Sequence, residues 1–323
     1  MGKPLVSVVI PTFDRKDFVK GAIENALDQS YENLEVIVVE DGSNCGVEKF
    51  ISGLGDHRLI YTRHKGNLKL GASRNTGMKL AKGEYIAFLD DDDRWLKNKI
   101  RLQVDMMQKY RNNKVMIYCF NTKERGQNRF YKIPMAARGP MVNSIFQGFL
   151  LPSSSMLINR SALESIGGHS ADLMSCIDHD MWMKLARNGF DMDLVEKGLV
   201  YSVDDERKRM VNQFDDRLTG IKQFFIKWKP AIIEEYKIES WMKIERKYHI
   251  QTAYAIVNSY RKGIISASEG IDYLKELFLL QSSHFTRFDM LIARFGLRFS
   301  TRLFNIVPIN RLNRDAFLSI KLH

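Results

Sequence analysis

Four consecutive aspartates, Asp90 to Asp93, are the residues of this sequence best suited to carry out chemistry. Adjacent carboxylates repel one another, so their pKa values rise unless a cation lies among them. Oxygen ligands without histidine or cysteine select a hard ion such as Mg²⁺ or Mn²⁺, which is commonly shared with substrate phosphates. If Asp93 only capped the following helix, three carboxylates would stay unexplained. The D-x-D spacing of Asp90 and Asp92 therefore predicts a metal site.

Two further polar positions follow short β-branched runs. Thr12 comes after the run Leu5–Ile10 and Pro11, and Asp41 comes after the run Leu34–Val39. The aspartate tetrad follows a third run of this kind. Because ligands bind beyond the carboxyl ends of parallel strands, these positions are expected to converge on one crevice.

Strand and helix patterns alternate through the first part of the chain. Strands are predicted at 5–10, 34–39, 59–62 and 85–89, and helices at 16–30, 72–82 and 96–110. Further strands are predicted at 115–120, 155–158 and 199–203, with irregular chain at 127–148 and a short helix at 178–188. This order predicts the α/β class, with a mostly parallel, Rossmann-like sheet flanked by helices.

The character of the chain changes near residue 205. Helical periodicity replaces the alternation there, and basic residues outnumber acidic ones. At about 150 residues per domain, 323 residues predict two domains, which we place at 1–204 and 205–323. The second is expected to be a basic, helical region that contacts a membrane interface, an acceptor or another copy of the chain.

Composition narrows the class of protein. The net charge of +11 predicts an anionic partner, which is a phosphorylated ligand, a membrane surface or nucleic acid. Three widely separated cysteines favour ordinary thiols over a disulfide framework or a zinc site. The sequence shows no apolar run of the ~18 residues that a spanning helix needs, and no signal peptide. These features predict a cytoplasmic protein.

The sequence resembles family 2 glycosyltransferases of the GT-A fold, which are inverting enzymes that use nucleotide-diphosphate sugars. The resemblance covers about residues 5–203 and depends on six motifs in the family's order. They are Val8–Phe13, Val38–Ser43, Gly71–Gly77, Phe88–Trp95, Gly167–His169 and Asp178–Trp182. Each motif alone is weak, whereas six in order make coincidence improbable.

The resemblance implies a role for individual residues. Those that would bind the donor are Pro11, Thr12, Asp41, Arg74, Asp90 and Asp91. Of these, Asp41 would accept a hydrogen bond from the base, and Arg74 would lie against the base or the diphosphate. Asp92 and Asp90 would hold Mn²⁺ or Mg²⁺, with Asp92 the more direct ligand. Taken in isolation, Asp41 would be a turn residue and Arg74 an exposed helix charge.

An inverting transfer needs a base that takes the proton of the acceptor hydroxyl. By its position in the family motif that base is Asp178, with Asp180 as the competitor. Asp180 would otherwise stabilise the helix start, and Asp178 would otherwise be an N-cap. Ile177 stands where the family usually has glutamate, and His179 where an aromatic residue is common. His169 has either a structural role or one near the donor sugar and acceptor.

The segment from Phe285 to Leu303 has apolar residues at helical spacing. Arginines cluster on a neighbouring face of this predicted helix, at Arg287, Arg294, Arg298 and Arg302. The pattern suits a helix in the interface of an anionic membrane and equally a helix packed on the catalytic domain. Nucleic acid is disfavoured as a partner because no recognition motif is present.

The sequence thus predicts an inverting, metal-dependent transfer of a hexose from a UDP-sugar. The acceptor would be a hydroxyl of a glycan or lipid-linked acceptor in cell-surface polysaccharide synthesis, at the inner face of the cell membrane. One alternative is a non-catalytic glycan-binding or scaffold protein of the same fold. The other, a sugar-phosphate nucleotidyltransferase, would need a glycine-rich loop after the first strand, and the segment Pro11–Lys16 has no glycine. A GDP- or dTDP-linked donor is a further alternative.

Overall fold

The computed structural model describes residues 2–124, 130–132, 137–145, 149, 151–202 and 213–280. The strands are β1 (Val6–Thr12), β2 (Leu34–Glu40), β3 (Leu59–Arg63), β4 (Tyr85–Phe88), β5 (Asp93–Trp95), β6 (Val115–Glu124), β7 (Phe130–Lys132), β8 (Gly139–Pro140), β9 (Met156–Asn159) and β10 (Asp191–Ser202). The helices are α1 (Lys16–Leu27), α2 (Val47–Leu54), α3 (Lys69–Leu80), α4 (Lys99–Met107), α5 (Met141–Ile145), α6 (Arg160–Ser165), α7 (Ile177–Arg187), α8 (Phe214–Tyr236), α9 (Ile238–Arg261) and α10 (Ala267–Leu279), with a 3₁₀ turn at Ser153–Ser155.

One mixed sheet runs through the described chain in the order β3-β2-β1-β4-β9-β6-β10-β5. β3, β2, β1 and β4 are parallel neighbours. β9 is antiparallel to both β4 and β6, whereas β6 and β10 are parallel. The carboxyl ends of the four parallel strands therefore lie at one edge of the sheet, as the α/β pattern predicts.

Side chains alternate between two cores along the central strands, because successive strand residues point to opposite faces. In β1, Val8 and Ile10 pack on the side of α1 and α4, and Val9 packs on the other side. In β4, Ile86 and Phe88 belong to the same core as Val9. Both faces are apolar and covered by helices, which explains the near-continuous hydrophobic runs of the sequence.

The helices after residue 212 pack on the core that contains Val9 and Phe88. Phe224 and Trp228 of α8 and Trp241 of α9 are buried there with Trp182 of α7. α10 joins a smaller apolar cluster with α8 and α9. Within the described ranges, no helix is long and apolar enough to cross a membrane.

Most predicted elements are present, and the differences have physical reasons. Helix α2 was not predicted; it has only eight residues. Asp93 does not cap a helix, because it begins β5, and Asn98 occupies the N-cap position of α4. β5 is three residues long and depends on pairing with the distant strand β10, which no local pattern reveals. β10 also begins at Asp191, earlier than predicted.

The segment 127–148 is not wholly irregular. Its described parts include β7, β8 and α5. The two strands are two and three residues long, too short to give a periodic signal. The predicted helix at Phe285–Leu303 lies outside the described residues.

Candidate functional site

Asp41 lies at the carboxyl end of β2, next to the end of β1. Its backbone N–H donates to the carbonyl oxygen of Thr12 over 2.8 Å. Its carboxylate accepts from the Leu68 N–H at 2.8 Å and lies 2.8 Å from Nδ1 of His64. Nε2 of His64 lies 2.9 Å from the hydroxyl oxygen of Thr76. The ring of His64 thus bridges Asp41 and Thr76, so one side chain orders the ends of β2 and β3 against α3.

Arg15 joins the end of β1 to the aspartate tetrad. Its guanidinium donates to Asp91 over 2.7 Å and to Asp92 over 3.2 Å. Asp91 also accepts from the Thr12 hydroxyl at 2.8 Å, while Pro11 lies within β1 and pairs with Val39. Thr12 and Asp91 are therefore brought together, as the sequence predicts, and Arg15 neutralises charge that the tetrad concentrates.

Burial changes the acidity of the tetrad. It raises the pKa of Asp91 to about 7, although Arg15 and the Thr12 hydroxyl oppose the shift. It also raises the pKa of Asp93 to about 7. Asp93 accepts from the Ser202 hydroxyl at 2.6 Å, on the side of β10. Asp93 thus stabilises the pairing of β5 with β10, whereas the other three aspartates lie at the edge of the sheet.

Arg74 is the central cation of the site. Its guanidinium donates to Asp90 over 2.8 Å and to Asp178, and only 1% of its side chain is exposed. Burial alone lowers the pKa of an arginine, but the two carboxylates hold that of Arg74 above its usual value. Arg74 is therefore not an exposed helix charge, and it joins β4, α3 and α7 at one point.

Asp178 lies in the first turn of α7 with 32% of its side chain exposed. It accepts from the Ser153 hydroxyl at 2.7 Å as well as from Arg74. Burial raises the pKa of this carboxyl, but Arg74 and Ser153 outweigh burial and hold it below its usual value. The N-cap alternative for Asp178 is wrong, since Cys176 precedes the helix in a left-handed conformation with φ of 62°.

Asp180 has a different environment, with no exposed side-chain surface. Lys227 lies 2.6 Å from its carboxylate, and the Trp228 Nε1–H and the Ser170 hydroxyl donate to it over 2.9 and 2.7 Å. These partners hold the pKa of Asp180 below its usual value although burial opposes them. Asp180 thus binds α7 to α8, and its carboxylate is inaccessible from solvent.

His169 follows two glycines with left-handed backbone, Gly167 and Gly168. Its N–H donates to Asn75 Oδ1 over 2.9 Å, and Asn75 donates back to the His169 carbonyl over 2.8 Å. The ring is buried edge-on against Phe88, and burial lowers its pKa to about 3. The backbone of this turn is therefore fixed to α3, and the ring is neutral.

The carboxylates suit a hard ion only with help from a substrate. Among the described residues, no three His, Cys, Asp or Glu side chains are placed to hold a metal by themselves. Mg²⁺ is commonly bound by one or two carboxylates together with substrate phosphates. Asp90 and Asp92 keep 29% and 21% of their side chains exposed at the edge of the site. These two carboxylates fit an ion that a diphosphate would help to bind.

Three contact residues were missed from the sequence, namely Arg15, His64 and Ser153. Arg15 is the first basic residue after β1, and His64 directly follows β3. The rule that ligands bind beyond parallel strand ends could have selected both. Ser153 lies in a 3₁₀ turn before β9 and gave no local signal.

Known proteins share this arrangement of elements. The mannosyltransferase PcManGT from Pyrobaculum calidifontis, solved in complex with GDP-Man and Mn²⁺, superimposes with a TM-score of 0.57 at 15% identity. The match covers 92% of this chain and 86% of that one. At this identity the likeness establishes the fold, and the predicted GT-A fold with C-terminal helices is confirmed.

Sequence comparisons are more specific. An uncharacterised glycosyltransferase of Rickettsia typhi is 30% identical over 212 residues, which cover 61% of this chain and 64% of that protein. The Escherichia coli UDP-Glc:alpha-D-GlcNAc-diphosphoundecaprenol beta-1,3-glucosyltransferase WfaP is 38% identical over 104 residues, 32% of this chain and 41% of that protein. The chain thus spans less than two thirds of the length of both relatives.

The family model for glycosyl transferase family 2 matches residues 7–167. That range contains the strand ends at Thr12 and Asp41, the arginine of α3 and the whole aspartate tetrad. From this match, the relatives and the fold, the chain belongs to glycosyl transferase family 2.

Proposed function

We propose that this protein transfers a hexose from a UDP-sugar to a hydroxyl of a glycan or lipid-linked acceptor, with inversion at the anomeric carbon. The observation that carries the proposal is the contact of Arg74 with both Asp90 and Asp178. Asp90, predicted to bind the donor and the metal, and Asp178, the predicted base, thus share one guanidinium. A nucleotidyltransferase or a scaffold protein would not need this pairing.

The names of similar proteins support the choice of substrates. WfaP is named for transfer of glucose from UDP-Glc to a diphosphoundecaprenol-linked sugar, and PcManGT was solved with GDP-Man. Both donors are nucleotide-diphosphate sugars. We favour UDP over GDP because WfaP shares 38% identity over its matched residues, against 15% for PcManGT.

Asp178 is the group that would act on the acceptor. Its carboxylate would take the hydroxyl proton while the acceptor oxygen bonds to the anomeric carbon. The bond from that carbon to the diphosphate oxygen breaks at the same time, and its electrons leave with the nucleoside diphosphate. Arg74, released from its carboxylate partners, would donate hydrogen bonds to the departing diphosphate. Arg74 would thereby exchange its hydrogen bond to Asp178 for hydrogen bonds to the leaving diphosphate.

Asp92 and Asp90 are the residues that would hold Mn²⁺ or Mg²⁺. Such an ion would supply positive charge for the diphosphate as negative charge develops on it. Asp92 is the better-placed ligand of the two because its partner Arg15 is 30% exposed and can move away. Asp90, by contrast, would become available to the ion only once the buried Arg74 has turned from it to the diphosphate.

Calorimetry of UDP binding tests the metal and donor assignment. UDP should bind at least tenfold more tightly with Mn²⁺ than with EDTA, and Asp92→Ala should remove the difference. Asp105→Ala, which deletes an exposed carboxylate of α4, is the control and should keep it. Equal affinity for UDP with and without metal in the wild type would refute the metal assignment. Tighter binding of GDP than of UDP would show that the donor nucleotide carries guanine instead of uracil.

We also propose that the basic region places the enzyme on the inner face of an anionic membrane. The support is the sequence of Phe285–Leu303, in which arginines adjoin an apolar stripe. The wild type should co-sediment with anionic vesicles, and the double variant Arg294→Glu, Arg298→Glu should not, at an unchanged melting temperature. Destabilisation of that variant, without vesicle binding by the wild type, would assign the segment to packing.

A further inference from the structure

A cavity of about 610 Å³ lies between α1 and α2, apart from the residues of the donor site. Its lining consists of Lys16, Lys20, Asn44, Cys45, Gly46, Lys49 and Phe50. Across the described residues, none of these side chains forms a hydrogen bond or ion pair with the tetrad, Arg74 or Asp178. The neighbouring residues Arg15 and Lys16 face different regions, because Arg15 binds Asp91 and Asp92 whereas Lys16 lines this cavity.

The charged side chains that line the cavity are all lysines, and the Glu40 carboxylate behind the lining residue Cys45 accepts hydrogen bonds from it. Three lysines line the cavity with no carboxylate among the lining residues. Across the described ranges, none of the three takes part in an ion pair within 4.0 Å. Exposed lysines elsewhere do pair, as Lys97 does with Asp28 at 2.8 Å. A concave surface lined by one sign of charge concentrates ions of the opposite sign.

Local structure holds the lysines around the cavity. The Lys20 ammonium lies 5.1 Å from the centre of the Phe50 ring, a cation–π contact that links α1 to α2. Gly46 has φ of +81°, and a Cβ built on it would lie 3.3 Å from Nζ of Lys16. The missing side chain therefore lets the Lys16 ammonium approach the backbone of the loop before α2. α2 begins directly after Gly46 and no side chain caps it, so its first N–H groups have no side-chain partner at this end of the helix.

We propose that this cavity binds a phosphate group that belongs to a ligand other than the sugar donor. A phosphate presents oxygens in several directions, and lysine ammonium groups bind it as point charges from flexible stems. The group comes either from a soluble phosphate ester or from the headgroup of a phospholipid. The inference is independent of the transfer reaction proposed above.

The test measures inorganic phosphate binding to the full chain by calorimetry, with UDP and Mn²⁺ present at saturation to occupy the donor site. The pocket variant is Lys16→Gln with Lys49→Gln. The control, Lys79→Gln with Lys109→Gln, removes the same charge from exposed positions outside the cavity. Phosphate affinity should fall about tenfold or more in the pocket variant and stay at the wild-type value in the control. UDP affinity should be unchanged in both.

Vesicles distinguish the two sources of the phosphate. A headgroup site predicts that the wild type and the control co-sediment with phosphatidylglycerol vesicles more than the pocket variant does. A soluble ligand predicts a phosphate response with equal sedimentation of all three proteins. Equal phosphate and vesicle binding by the pocket variant and the wild type, or equal losses in the pocket variant and the control, would overturn the proposal.

Discussion

Asp178 and Asp180 lie two residues apart in α7 and have opposite surroundings. Asp178 keeps a third of its side chain exposed beside Arg74, whereas Asp180 is fully buried beside Lys227. A base must reach the proton that it takes, so exposure selects Asp178. Asp180 holds the helix that carries it.

Asp178→Asn should lower kcat by about 10²-fold or more and leave UDP affinity nearly unchanged, because a base acts only in the transition state. The measurements are turnover of a UDP-sugar and calorimetry of UDP. Asp180→Asn is the matched comparison, and it should lower the melting temperature instead. A larger fall of kcat for a well-folded Asp180→Asn would move the base to Asp180.

The motifs predicted some of the residues that meet in the site, but not Arg15, His64 or Ser153, and not how the residues pair. Asp90, Arg74 and Asp178 were identified from residue type and motif order, and the structure brings them into contact. The contacts of Arg15 with Asp91 and of His64 with Asp41 link residues 76 and 23 positions apart. Which side chain fills such a gap depends on the packed structure, so local sequence could not name these partners.

At the scale of elements, α7 and α8 are held together by a buried charge. Asp180 of α7 contacts Lys227 and Trp228 of α8 and also the Ser170 hydroxyl of the loop before α7. Lys184 of α7 also lies 3.4 Å from this carboxylate, so removing Lys227 would leave Asp180 with Lys184 but without the cation that α8 supplies. The orientation of α7, which carries the proposed base Asp178, therefore depends on α8.

Lys227→Met should lower the free energy of unfolding by roughly 1–2 kcal/mol at pH 7, a value reduced for the partial exposure of Lys227. The folded-state pKa of Asp180 is depressed, so its stabilisation is present above the unfolded value near 4 and is lost as pH falls through the folded value. The difference from wild type should therefore shrink below about pH 4. Urea unfolding from pH 3 to 7 measures it, with Lys222→Met on the same helix as control. A pH-independent difference would contradict the ion pair.

Substitutions at the two adjacent glycines before α7, Gly167 and Gly168, distinguish the cost of backbone strain from the cost of a steric collision. A Cβ on Gly168 would lie 2.6 Å from Asn75 Oδ1, while one on Gly167 would meet nothing within 4 Å. Both glycines have left-handed backbone, which costs alanine about 1 kcal/mol. Gly167→Ala should lose about that amount in urea unfolding, and Gly168→Ala should lose more and raise KM or lower kcat. Equal losses would mean that Asn75 moves freely.

The sequence largely predicts which segments form strands and helices, but it does not predict which strands pair with one another. The runs that became β1, β2 and β4 are apolar on both faces because helices cover both sides of the sheet. The same composition gave no sign that β9 enters antiparallel between β4 and β6. Strand order is set by distant pairing, which a single sequence does not display.

At the scale of the whole molecule, α8 and α9 are part of the main core. They contribute eight buried side chains to the cluster that covers one face of the sheet, namely Ile221, Phe224, Phe225, Trp228, Ile232, Trp241, Ile244 and Tyr248. At roughly 1.5–3 kcal/mol for each, their loss would exceed the usual stability of a domain. The two predicted domains, 1–204 and 205–323, therefore share one hydrophobic core. We propose that the boundary between them marks a difference in function only.

A chain that ends at residue 204 should therefore aggregate or unfold without a cooperative transition. A chain that ends at residue 280 keeps every described contact and should melt close to the full chain. Thermal melting and size-exclusion chromatography distinguish these outcomes. A folded, monomeric 1–204 fragment with a normal melting temperature would show that the sheet does not need the helices.

The bond between Asp180 and α8 also limits how related enzymes can exchange parts. A hybrid joined at residue 204 would take Asp180 and Ser170 from one parent and the partners on α8 from the other. If the second parent lacks a cation at the position of Lys227, the hybrid keeps Lys184 beside Asp180 but loses the charge that ties the carboxylate to α8. Recombination should therefore yield working hybrids mainly when the stretch from Gly167 to Ile232 is inherited as one block, whatever acceptor the remainder of each parent recognises.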